Sequence, residues 1–197
     1  MKIKTIFAAA LLMLVCFGNQ AKAQKAAIKT NLLYDATATI NLGLEFGLGD
    51  KWTMDLSGNF NPFRFHEGRR WKHFMVQPEL RYWTCDRFAG HFFALHAMGG
   101  MYDVGNIDFL KFKILNADFE NMKNKRYEGW MAGVGVGWGY DWILSKHLNL
   151  EFEAAVGYMY ANHDKYLPYT SHVPYIKNAD RHFIAPTKLA LSLVYVF

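Results

Sequence analysis

The chain has 197 residues, a formal charge of +5, 17% aromatic residues, 16 glycines and 5 prolines. After residue 23 no stretch offers eighteen consecutive apolar residues, which excludes a helical membrane protein. The two cysteines are Cys16 and Cys85, and the first falls in a segment expected to be removed, so an intramolecular disulfide framework is excluded.

Residues 1–23 read as a secretory signal. Lys2 and Lys4 form a basic start, Ile6 to Phe17 an apolar run, and Ala21-Lys22-Ala23 an A-x-A cleavage site before Gln24. A lipoprotein needs a small residue before its cysteine, and Val15 precedes Cys16. Cleavage removes three lysines and no acids, so the remaining domain, 24–197, carries +2.

Eight segments then read as strands. The first, 26–35, alternates poorly. The second, 39–48, sets Leu42, Leu44, Phe46 and Leu48 opposite Gly43, Glu45 and Gly47. In the third, 51–60, Trp52, Met54, Leu56 and Phe60 oppose Thr53, Asp55, Ser57 and Asn59. The fourth, 73–84, places Phe74, Val76, Leu80 and Tyr82 against Gln77, Glu79 and Arg81. Pro78 lacks a donor there and predicts either a bulge or a missing ladder bond. The fifth, 91–102, opposes Phe93, Leu95, Ala97 and Met101 to Phe92, Ala94, His96, Met98 and Gly100. The sixth, 127–141, alternates Trp130, Ala132, Val134, Val136, Trp138 and Tyr140 with five glycines and Met131. The seventh, 147–160, sets Leu148, Leu150, Phe152, Ala154, Val156 and Tyr158 against Asn149, Glu151, Glu153, Ala155 and Gly157. The eighth, 186–197, sets Thr187, Leu189, Leu191, Leu193, Tyr195 and Phe197 against Lys188, Ala190, Ser192, Val194 and Val196. Period-two alternation sustained over so many segments predicts an all-β chain.

One face is apolar throughout and the other carries charges and glycines. A soluble sandwich would cover the apolar face with a second sheet. A membrane barrel turns it to lipid and fills its lumen with the polar face. Loop lengths favour the barrel. The links 49–50, 85–90 and 142–146 are short, whereas 61–72, 103–126 and 161–185 are long, with only 36–38 short among the outer links, as short periplasmic turns and long outer loops would be. Aromatics also fall in two bands. Trp52, Tyr82, Tyr140, Trp142, Tyr195 and Phe197 lie toward the periplasmic end; Phe60, Tyr102, Tyr127, Trp130, Tyr158 and Tyr160 lie toward the outer end. The expectation is an eight-stranded antiparallel transmembrane β-barrel of the outer membrane with both termini periplasmic. The long outer loops carry an excess of Lys and Arg, which suits lipid and lipopolysaccharide phosphates.

Several stretches carry a resemblance: Ala27-Ile28-Lys29-Thr30-Asn31-Leu32-Leu33-Tyr34-Asp35, Gln77-Pro78-Glu79-Leu80-Arg81-Tyr82-Trp83, Arg126-Tyr127-Glu128-Gly129-Trp130, Gly139-Tyr140-Asp141-Trp142-Ile143-Leu144-Ser145 and Pro186-Thr187-Lys188. Together they resemble an outer-membrane β-barrel family of Bacteroidota catalogued as domain of unknown function 3575. The resemblance implies a small barrel associated with assembly or anchoring of fimbrial proteins. It implies no catalytic residues. Some members carry a cysteine pair in the last long loop, where this chain has Tyr169 to Lys177 and no cysteine.

A narrow eight-stranded lumen needs its acids paired. Glu79, Arg81, Glu151, Glu153 and Lys188 are therefore expected to form a lumen ion-pair network, with Lys29 as a further cation. Tyr195 and Phe197 form the terminal signal expected to be read by barrel-insertion machinery. The leading function is non-enzymatic, structural or interaction-based, without cofactor or metal. The competing reading is a small outer-membrane lipid-modifying enzyme or a narrow pore. Its candidates are the Glu151/Glu153 pair for acid–base work and His163, Asp164, Ser171, His172 and His182 for a nucleophilic site. His66 and His73 join these histidines as metal candidates, but no His-x-x-x-His or Cys-x-x-Cys spacing supports them. His96 reads as a packed lumen residue. The apolar stretch 109–119 predicts a short helix or hairpin. No Gly-rich phosphate loop is present, and an exported chain offers no role in nucleic-acid binding.

Overall fold

The computed structural model describes residues 26–64, 69–106, 113–114, 117–118, 124–167 and 172–197. The expected signal segment 1–23, with Cys16, lies outside the described residues. Eight antiparallel strands close into a barrel. They are β1 (Ala26–Asn31), β2 (Ile40–Gly47), β3 (Trp52–Asn61), β4 (Arg70–Trp83), β5 (Gly90–Gly105), β6 (Arg126–Ile143), β7 (Leu148–Tyr166) and β8 (Ile176–Val196). Each strand pairs with its neighbour in sequence, and β1 closes the ring on β8 through Ala27 opposite Val196 and Asn31 opposite Ser192.

The alternation written in the sequence sets the two faces. Leu42, Phe46, Trp52, Leu56, Phe74, Phe93, Leu95, Val134, Val136, Trp138, Leu189 and Tyr195 are all exposed on the outer wall. The polar set points inward and is buried, with Glu45, Thr53, Arg81 and Glu153 at 0% exposure. This barrel is the inverse of a water-soluble domain, in which apolar burial would drive folding.

Three local features depart from the expectations, and a fourth takes one of its two expected forms. The first segment leaves the sheet after Asn31, whose side chain accepts from the Leu33 N–H at 3.1 Å and caps a one-turn helix, α1 (Leu32–Ala36). Pro78 gives the second of the two forms expected: Val76 stays opposite Gly99 and Glu79 opposite His96, while the β4–β5 pairing is interrupted at Gln77 and Pro78 without a bulge. The bulge is in β8 instead, where Pro186 faces Val156 and Lys188 faces Ala155. Thr187 is the extra residue, so it turns inward beside Lys188 rather than joining the outer face with Leu189. Finally, Tyr102 and Tyr127 do not belong to the outer aromatic band. Both rings lie beside the buried His163, at centroid separations of 6.5 and 5.3 Å.

Links at one end of the barrel are 48–51, 84–89 and 144–147; those at the other are 32–39, 62–69, 106–125 and 167–175. The size difference persists although β7 and β8 run well into the expected long loop. Their continuation is tied at the tip by Asp164 Oδ1, which accepts from the Asn178 N–H at 2.8 Å. Within 109–119, residues 113–114 and 117–118 pair as a small hairpin, one of the two forms expected.

Candidate functional site

The centre of the barrel is a layer of charge. Arg81 of β4 is its hub. Its Nε donates to Glu79 at 2.6 Å, Nη1 to Glu151 at 2.6 Å and Glu45 at 2.9 Å, and Nη2 to Glu153 at 2.7 Å. Asp55 lies 3.3 Å from Nη2. Lys188 of β8 bridges Glu79 and Glu153 at 3.0 and 2.9 Å. Lys29 of β1 contacts Glu45, with Asp55 at 3.3 Å and Glu151 at 3.4 Å. The five residues named from sequence thus stand in one contact network, which also takes in Lys29, Glu45 and Asp55. The inward parity of Glu45 and Asp55 was readable, but their convergence on Arg81 depends on barrel closure, which brings β7 and β8 round to face β2–β4.

Register explains the convergence. Glu45, Asp55 and Glu79 are successive partners across β2, β3 and β4. Glu151 faces Ser192 across β7 and β8, and Glu153 faces Ala190. Small partners there leave the carboxylates free to reach across the lumen. Six inward carboxyls (Glu45, Asp55, Glu79, Asp141, Glu151, Glu153) meet three cations (Lys29, Arg81, Lys188). The deficit falls on Asp141, both of whose oxygens lack a hydrogen-bond partner although the residue is buried.

Apolar layers close both sides of the charge. Toward the short-turn end, the Trp83 and Phe92 rings pack at a tilt with centroids 4.7 Å apart, and the Arg81 guanidinium sits 4.4 Å over Phe92. The 84–89 turn folds Phe88 into the lumen with a backbone φ of 60°, and Asn149 donates to its carbonyl at 2.9 Å. Gly139 faces this layer, and a Cβ there would overlap Phe92. Toward the long-loop end, Met75, Met98, Met159 and Ala185 pack together under Tyr34 of α1. A partly open cavity of about 30 Å³ lies beside Lys29, Asp55, Asn59 and Arg81, room for about one water.

The candidates for nucleophilic chemistry are dispersed. His163 points into the barrel, whereas His182 is exposed on the outer wall, where its Nδ1 is 2.5 Å from the Tyr158 hydroxyl. Asp164 binds backbone, His172 is exposed, and Ser171 lies outside the described residues. The Glu151/Glu153 pair is consumed by Arg81 and Lys188. Among the described residues no group of three or more His, Cys, Asp or Glu is arranged to hold a metal ion; His66 lies outside them. His96 is buried with Nδ1 3.7 Å from Glu79.

The family described as protein of unknown function (DUF3575) matches residues 8–197. The chain belongs to that family. The match spans all eight strands and the lumen network, so the packed barrel is what the matched region builds. No curated protein and no solved structure matches the chain.

Proposed function

We propose that this DUF3575 protein is an outer-membrane β-barrel, exported by a signal segment cleaved after Ala23, with both termini periplasmic. It serves as a non-enzymatic structural or interaction component of the cell envelope. The observation that carries the reading is the inversion of the fold: a continuous exposed apolar wall around a buried ionic centre. Water penalises such a wall and a bilayer favours it. Trp52, Tyr82, Trp142 and Tyr195 near one rim and Phe60, Trp130 and Tyr158 near the other match interfacial girdles. Above the second girdle, Asp103 joins Arg70 at 3.1 Å and Arg126 at 2.6 Å, a charged collar suited to lipopolysaccharide headgroups.

With its centre filled by salt bridges and closed by apolar layers, the barrel offers no conduit. Partners therefore meet the loops and strand tips of the long-loop end. The family resemblance points to fimbrial proteins as those partners, and barrel-insertion machinery reads the terminal Tyr195 and Phe197. The test is to isolate outer membranes and compare unheated with boiled samples on a denaturing gel, then to measure conductance in planar bilayers. A heat-dependent shift in the outer-membrane fraction with no conductance supports the reading. A soluble periplasmic chain, or stable single-channel currents, overturns it.

A further inference from the structure

The long-loop half of the lumen holds an unusual choice of side chain. Among the described residues no Leu or Ile is buried, yet Met75, Met98 and Met159 are, and Met131 packs against them. If the lumen needed only apolar bulk, Leu and Ile, which populate the outer wall, would serve equally. The methionines occupy two adjacent rows. Met98, Gly133 and Met159 are successive cross-strand partners, as are Met75, Gly100 and Met131. Gly133 lets Met98 and Met159 approach across it: a Cβ there would lie 2.8 Å from the Tyr158 carbonyl oxygen, 3.2 Å from Met159 Cγ and 3.4 Å from Met98 Cγ.

Two buried imidazoles flank these rows. His96, 2% exposed, lies in the next inward position of β5 below Met98; His163, 5% exposed, lies nearer the mouth on β7. All four ring nitrogens lack a hydrogen-bond partner. Below the thioethers is the charge layer with six carboxyls against three cations. A monovalent cation held by neutral thioethers would sit on the favourable side of that excess.

We propose that this methionine cluster binds a soft monovalent metal ion, Cu(I) or its analogue Ag(I). Thioether ligands select soft ions, whereas Zn²⁺ and harder ions require the thiolate, imidazole and carboxylate groupings that the described residues do not assemble. Met75, Met98 and Met159 supply sulfur, Met131 is the adjacent fourth thioether, and Tyr34 packs against the cluster from α1. Binding requires no redox step and no proton release, since thioethers are neutral ligands.

The experiment uses the folded barrel in a Cys85→Ser background, because Cys85 is an exposed free thiol. Under anaerobic reducing conditions it is titrated with Cu(I) against a chromogenic chelator. The expected result is retention of one equivalent with a sulfur-dominated first shell in X-ray absorption, and no comparable retention of Zn²⁺. Replacing Met75, Met98 and Met159 together by Leu, a nearly volume-conserving change, is expected to lower retention at least tenfold while the folded gel mobility persists. If the triple variant does not fold, Met98→Leu and Met159→Leu are tested singly, each expected to weaken retention several-fold. No retention by the parent, a first shell of nitrogen and oxygen only, or unchanged retention in the folded Leu variants would overturn the proposal.

Discussion

Replacing Arg81 with Met tests whether the lumen network holds the barrel together. Arg81 has no exposed surface and lies within 3.3 Å of five carboxylates, those of Glu45, Asp55, Glu79, Glu151 and Glu153. Met preserves most of the volume, so the change removes charge and donors rather than packing. Breaking a buried ion pair from one side costs about 3–5 kcal/mol, because the partner is left charged and desolvated. Lys29 and Lys188 remain to carry part of the load, and they hold the loss within that range. With a urea slope of about 2 kcal/mol per M, the unfolding midpoint falls by roughly 2 M. Arg81→Lys keeps the charge but loses the planar fork that reaches several acids at once, so it falls between wild type and Arg81→Met. Adding Glu151→Gln to Arg81→Met removes one stranded acid and recovers part of the loss, a positive coupling in a double-mutant cycle. The assay is urea titration of the folded barrel, followed by gel mobility and tryptophan fluorescence. A midpoint for Arg81→Met within about 0.3 M of wild type (roughly 0.6 kcal/mol at that slope) would refute the network's structural role, as would a double variant less stable than the single.

Three further perturbations address other layers. Gly139→Val forces a Cβ into Phe92 and the Phe152 carbonyl, so the folded fraction on unboiled gels is expected to drop, by the equivalent of about 1–3 kcal/mol of overpacking; a wild-type fraction would show that the layer can shift. Asn31→Ala removes the α1 cap and its bonds to the Leu189 carbonyl and the Leu191 N–H. A loss of about 1–2 kcal/mol in urea midpoint is expected, and an unchanged midpoint would assign α1 no part in barrel stability. Deleting Phe197 leaves the sheet nearly intact, because its N–H bond to the Ala26 carbonyl is terminal. Lower outer-membrane yield is expected from lost recognition, with an unchanged melting midpoint for the barrel that does insert; unchanged yield would count against a terminal signal.

The strands were legible because their period-two pattern is enforced on both faces at once: a one-residue slip in β3 would put Asp55 on the apolar wall and Leu56 in the lumen. That same logic failed at Thr187. Pro186 stands at the bulge and is the kind of mark a strand proline gives, but the expected strand begins at Pro186, where a proline is also at home, and the residues after it alternate cleanly. Asn31 was misread for a related reason. Leu32 and Leu33 look like strand residues, whereas the cap that ends β1 is a single side chain accepting from the Leu33 N–H. In the lumen, inward parity identified the acids, but not which would meet. Tyr102 and Tyr127 were assigned by their height along the barrel alone, and parity puts them inside. The methionine rows escaped notice because Met98, Met131 and Met159 lie on three different strands and become neighbours only through register.

On the proposed reading, the sealed centre also constrains where this protein acts. Arg81 and its acids cannot rearrange to open a path without stranding several charges at once, at a cost comparable to the whole stability of a small domain. The apolar layers at Trp83 and Phe92, and at the methionines, would each have to part as well. Motion that matters to a partner is therefore expected beyond the last complete lumen row. The tip of β7 and β8 fits that role: Asp180 accepts from Tyr160 and Asn162, both at 2.7 Å, and Asp164 holds the Asn178 backbone. These bonds are solvent-exposed and contribute little to stability individually. They do fix the shape of the strand tips, so the barrel presents a defined edge to a partner while its centre remains fixed.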